Sequence, residues 1–134
     1  MRSTRIVTSF IRNNEKFLLL KRSNKVKTMK GLWAGISGVI ERDEEPIRRA
    51  KIEIYEEIGL TEDRIKFVKS ASKMKVHSPQ YENHEWEIFP FLFEAENPEI
   101  KLNWENSDFR WITVEEIKNF QTVPSIEKVL FSLL

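Results

Sequence analysis

The 134-residue chain contains no cysteine. This removes disulfides, thiolate metal sites and cysteine nucleophiles from consideration. No apolar run approaches the roughly 18 residues that a membrane-spanning helix needs. Met1-Arg2-Ser3-Thr4 leads straight into a strand pattern and lacks the apolar centre of a signal peptide. The expectations are therefore a cytoplasmic location and no membrane partner. Surplus charge is equally scarce. A formal net charge of +1 gives no global pull toward nucleic acid, so any electrostatic argument must be local. Repeats, linkers and low-complexity tracts are absent. What remains is an ordinary globular composition, 40% hydrophobic and 32% charged, in a length that fits one domain, 1–134, around a single core.

Arg5 to Ile11 and Lys16 to Leu20 are β-rich or apolar runs joined by Arg12-Asn13-Asn14-Glu15, the chemistry of a hairpin turn. Phe17-Leu18-Leu19-Leu20 predicts a strand buried on both faces. Lys21 to Lys30 then carries five basic residues and no acid, a cationic lip beside an anion site. Further on, Ile65–Val76 and Trp86–Glu94 read as two long strands, with Pro90 implying an edge or a bulge. The loop between them holds His77 and His84, read as pocket or surface residues. Asn97 to Asp108 reads as a polar loop, Phe109–Ile112 as a short strand, and Thr113 with Glu116 as the opening of a helix. Pro124-Ser125 opens a last amphipathic helix to Leu134.

The centre of the chain is Gly38 to Leu60. Gly31, Gly35 and Gly38 mark backbone that bends sharply or approaches something closely. Pro46 suits the first turn of a helix and Gly59 the residue past its end. At about 100° per residue, Ile47, Ala50, Ile54 and Ile58 share one stripe, the core face. Glu53, Glu56 and Glu57, spaced i, i+3, i+4, share a neighbouring face. Crowded carboxylates repel, and hard divalent cations want oxygen ligands. The pattern therefore points to a divalent-metal site, of the kind magnesium takes, for phosphate chemistry.

These residues resemble the signature of the Nudix (MutT-type) hydrolases. Gly38, Glu44, Glu53, Ile54, Glu56, Glu57, Gly59 and Leu60 stand in register with that motif, over residues 38–60. The resemblance implies a single-domain α/β fold, an α/β/α sandwich with a mixed sheet. It implies a divalent-metal-dependent pyrophosphohydrolase, using magnesium or manganese and acting by water attack on phosphorus. The substrate would be a small nucleoside di- or triphosphate derivative, of the NTP, dNTP, ADP-ribose or nucleotide-sugar type. It assigns metal binding to Glu53, Glu56, Glu57 and the Ser37 carbonyl, and makes Glu53 or Glu105 the catalytic base. Gly38, Glu44 and Gly59 are structural. Candidate substrate contacts are Arg22 and Lys30 of the basic segment, Trp33 and Tyr81.

One departure matters. The family's arginine, which holds a catalytic glutamate by a charge-assisted hydrogen bond, is replaced by Ile52. Arg49 lies four residues before Glu53, about 40° from it around the helix, and is the expected substitute. Ile52 falls nearly opposite the core stripe, a position suited to a packed loop or a homodimer contact. Two other readings stay open. One is a degenerate domain that binds a nucleotide or partner without hydrolysis, motivated by Ile52. The other is a pyrophosphohydrolase of RNA 5′ ends, which the basic loop permits and the net charge does not favour.

Overall fold

Successive side chains of a strand point to opposite faces, so a strand apolar at every position needs cover on both sides. The first two strands, β1 (Arg2–Asn13) and β2 (Lys16–Arg22), have this character. Val7 and Ile11 of β1 and Leu18 and Leu20 of β2 pack with Ala50, Ile54 and Ile58 of helix α1 (Pro46–Ile58). Phe10, Phe17 and Leu19 go the other way, against Ile126, Val129 and Leu130 of helix α2 (Ile126–Ser132) and Ile117 of a short 3-10 helix. One sheet between two helical layers results. The computed structural model describes residues 2–77 and 83–134.

The sheet also contains β3 (Trp33–Ala34), β4 (Ile36–Val39), β5 (Lys66–Ser70), β6 (Met74–His77), β7 (His84–Glu94) and β8 (Asn106–Ile112). Its main path runs β3-β2-β1-β7-β5, with β4 on β1, β6 on β7 and β8 on β2. β1 runs parallel to β7 from Arg2↔His84 to Arg12↔Glu94. The other pairings are antiparallel, so the sheet is mixed. The β1–β2 hairpin turns on Asn14 and Glu15, both at positive φ.

The helix bounds of α1 agree with the spacing of Pro46 and Gly59. Gly59 adopts φ 77° and its N–H donates to the Tyr55 carbonyl at 3.0 Å, closing the helix with a left-handed cap.

Four expectations need correction. The run Ile65–Val76 is two strands, because β5 and β6 both pair with β7 and the ladder jumps from Ser70↔Phe91 to Met74↔Ile88 across Pro90. Pro90 itself is interior to the sheet, where its missing N–H interrupts the neighbour rather than marking an edge. β8 begins at Asn106, so the loop before it ends at Glu105, earlier than expected. The expected helix after Thr113 is a five-residue 3-10 helix, Glu115–Asn119, whose N-cap is Val114 rather than Thr113; Glu116 accepts the N–H of Thr113, just before the helix, at 2.8 Å.

Gly59→Ala tests the cap. A Cβ in the left-handed region costs roughly 1–2 kcal/mol, and here it lies 3.2 Å from Lys101 Cβ. Calorimetry should show Tm lowered by about 3–8 °C; an unchanged Tm would contradict the assignment.

Candidate active site

Glu53 and Glu57 lie one turn apart on α1, and both are buried although charged residues rarely are. Each is held differently. Arg49 donates from Nη1 to Glu53 Oε2 at 3.0 Å, and grips Glu44 with Nε at 2.7 Å and Nη2 at 2.9 Å. Glu41 lies 3.5 Å from the same guanidinium. Glu44 also accepts the Glu41 N–H, which ties the loop before α1 to the helix. The Arg49 hydrogen bonds hold the Glu44 carboxyl below its ordinary value. The arginine that faces Glu53 therefore comes from position 49, and Ile52 is half-buried rather than exposed.

Glu57 has a thinner shell. Asn106 Nδ2 donates to its Oε1 at 3.1 Å, and its Oε2 is buried without a hydrogen-bond partner. Burial, followed by the Glu105 charge, pushes the Glu57 carboxyl well above the ordinary range. Burial also raises Glu53, against the pull of Arg49 and with the charges of Glu56 and Glu105 adding to the rise. The four carboxylates thus sense one another. Among the described residues, no three His, Asp or Glu side chains converge closely enough to form a ready cage for a metal. Glu56 is exposed at the rim.

Gly38 makes room for this arrangement. A Cβ there would lie 2.2 Å from Glu53 Cδ. Glycine is needed because the carboxylate rests directly on the β4 backbone. Ser37 beside it pairs its hydroxyl with Thr8 Oγ1 at 3.0 Å.

On the α2 side of β4 lies a cavity of about 280 Å³, with Ser37 and Gly38 on one wall. Ile6, Trp86, Ile88, Ile126 and Val129 make most of it apolar, and among the described residues Arg22 is the one charged side chain lining it. Arg22 is anchored by two hydrogen bonds to the Thr28 carbonyl, at 3.0 and 3.2 Å, which shapes the basic segment. Lys30 is exposed and outside this lining. Trp33 packs edge-on against Phe120 at 5.1 Å, with Arg110 over its ring, and is wall rather than cavity surface. Tyr81 lies outside the described residues. His84 meets Thr4 Oγ1 at 2.7 Å and packs, tilted, against the Trp86 ring at 4.6 Å; His77 is exposed. Sequence reasoning missed Asn106 and Thr8, since neither belongs to a recognisable spacing.

A glycine loop seated under buried helix glutamates, on a mixed sheet between helices, defines a hydrolase class, and the NUDIX domain model matches residues 2–133. The chain belongs to the Nudix family and is a pyrophosphohydrolase. It is similar to nucleoside triphosphatase NudI of Klebsiella pneumoniae subsp. pneumoniae, 30% identical over 127 residues, covering 90% of this chain and 89% of that protein. NudI of Escherichia coli strain K12 / DH10B is 29% identical over 139 residues, covering 97% and 96%. In fold it is similar to the MutT protein from Methanosarcina mazei Go1, with TM-score 0.76, 24% identity and coverage of 97% and 91%. A C. elegans Ap4A hydrolase gives TM-score 0.78 at 16% identity, covering 96% and 93%. No described helix is long and apolar enough to cross a membrane.

Two predictions follow from this geometry. Glu53 and Glu57 have folded-state pKa values above the ordinary 4.5. The neutral forms favour folding below that value, and this contribution is lost as pH rises through the raised values. Metal-free protein should therefore lose Tm as pH rises above the ordinary carboxylate value of 4.5. Glu57→Gln should flatten that slope and raise Tm at the alkaline end; parallel curves would contradict it. Gly38→Ala should leave the circular dichroism spectrum intact yet lower kcat at least tenfold, because Glu53 must leave Arg49 to clear the new Cβ, a loss of about 1.4 kcal/mol or more in the barrier.

Proposed function

We propose that the chain hydrolyses a phosphoanhydride bond of nucleoside triphosphates with magnesium or manganese. The observation that carries this reading is Glu57 Oε2, a buried carboxylate oxygen with no partner beside Glu53 and Glu105. The donor set fits a hydrated hard cation, since magnesium takes one or two carboxylates and leaves its other positions to water and phosphate. Support for a triphosphate comes from the two NudI proteins, described as nucleoside triphosphatases.

In this reading Glu53 and Glu57 hold the cation, with the Ser37 carbonyl and Glu56 at the rim. When bound, the cation neutralises charge developing on phosphate oxygens and acidifies water. The protein's own part is placement. Arg49 holds Glu53 in one rotamer and ties it to Glu44. Glu53 or Glu105 accepts the proton of the attacking water. Arg22 and the lysines of residues 21–30 attract the polyphosphate, and the apolar cavity takes the nucleoside. Water must reach phosphorus in line with the leaving group, so small errors in carboxylate placement have large effects on rate.

A screen of NTPs, dNTPs, ADP-ribose, nucleotide sugars and dinucleoside polyphosphates tests the substrate class. The expected result is fastest turnover on a triphosphate, abolished by a chelator and by Glu57→Gln. Turnover that survives both treatments would refute the metal site; exclusive hydrolysis of ADP-ribose or a nucleotide sugar would refute the substrate class. Arg49→Ala should cost on the order of tenfold or more in kcat, about 1.4 kcal/mol. Moving the arginine to its usual place in the family, as in Arg49→Ala with Ile52→Arg, should recover part of that loss. A wild-type rate in Arg49→Ala would show that Glu53 needs no such partner.

A further inference from the structure

We propose that Asn106 is a positioning residue that fixes the Glu57 carboxylate so that a single oxygen, Oε2, faces a divalent cation. The proposal rests on the metal reading given above.

Asn106 occupies its place through an irregularity in the sheet. Phe109 and Trp111 of β8 pack on the α1 side. Counting by twos from them, residue 106 belongs to the opposite face. The ladder against β2 slips at this point, because Lys21 pairs with Asp108 but Arg22 pairs with Asn106. Ser107 is the extra residue of a β-bulge, and it is exposed. One inserted residue reverses parity beyond it and re-aims the next side chain. Asn106 is thereby turned to the α1 side, only 7% exposed, where it meets Glu57.

The bulge is pinned on both sides. Beyond it, Ser23 N–H donates to the Glu105 carbonyl at 2.8 Å and Ser23 Oγ donates to the Trp104 carbonyl at 2.6 Å. Before it, the regular pairing of Leu20 with Phe109 holds the strand.

The chemistry of the residue suits the task. A carboxylate only accepts, so the amide turns its NH2 toward Oε1. It thereby orients Glu57 without bringing a positive charge. A lysine or arginine in its place would cancel the charge that draws the cation. The opposite arrangement stands one turn away, where Arg49 grips Glu53 by a charged hydrogen bond. The two glutamates are thus held by partners of different charge, and Glu57 keeps an oxygen, Oε2, that no N–H donor meets.

The test is Mn2+ binding to nucleotide-free protein, followed by electron paramagnetic resonance of free Mn2+, beside kcat and KM on a triphosphate. Asn106→Ala and the volume-filling Asn106→Leu should bind Mn2+ about 10–100-fold more weakly and lose kcat similarly. KM for the nucleotide should stay near the wild-type value. If Asn106→Ala does not fold, Asn106→Leu carries the same comparison. Wild-type Mn2+ affinity in the folded variant would overturn the positioning role while leaving the metal reading intact. Failure of the wild-type protein to bind Mn2+ would overturn the metal reading itself.

Discussion

The structure depends on a carboxylate buried with too few partners. Glu57 accepts one hydrogen bond, from Asn106, and its Oε2 meets no N–H donor; the neighbouring Glu53 carboxyl is close enough to share a proton with Glu57. Removing an ionised carboxylate from water costs several kcal/mol unless charge and hydrogen bonds compensate. Two states relieve this: the carboxyl takes a proton, or a cation comes to it. Glu53 repeats the problem one turn earlier, with Arg49 as partial compensation. A helix whose interest was stability alone would carry leucine at these positions. The site is therefore a local destabilisation that the two helical layers must support.

That support is distributed. Ala50, Ile54 and Ile58 anchor α1 to the sheet on the stripe beside the glutamates, so the helix has no freedom to turn them outward. The left-handed cap at Gly59 ends the helix immediately after Ile58 and turns the chain away. Gly38 lets Glu53 lie on bare backbone. The Arg49 fork draws Glu44, Glu53 and, more loosely, Glu41 together. A half-buried cation among acids is costly alone, but here its planar donor fork is matched by the Glu44 and Glu53 carboxylate oxygens at 2.7 to 3.0 Å.

Legibility in the sequence followed locality. The bounds of α1, its core stripe and the double-faced burial of Phe17–Leu20 rest on spacing within a few residues, and all were readable. Arg49 facing Glu53 was readable for the same reason, since four residues on a helix set the geometry. Glu56 shows that a shared face is wider than a contact: it sits on the acidic side of α1 and is exposed at the rim of the site. Asn106 was invisible because its orientation depends on a bulge set by pairing with a strand some eighty residues earlier. The break between β5 and β6 has the same origin, a register imposed by β7 and its proline. Trp33 is a candidate substrate contact by sequence, and its edge-on packing against Phe120, also distant in sequence, places it in the wall.

The central claim is that Glu57 Oε2 is an open ligand position. Anomalous diffraction from a crystal soaked in Mn2+ tests it most directly. The expected result is a peak within ligand distance of Glu57 Oε2, roughly 2–2.6 Å, on the side of Glu53, and absent in Glu57→Gln. A manganese peak elsewhere on the protein, with Oε2 still bare, would contradict it.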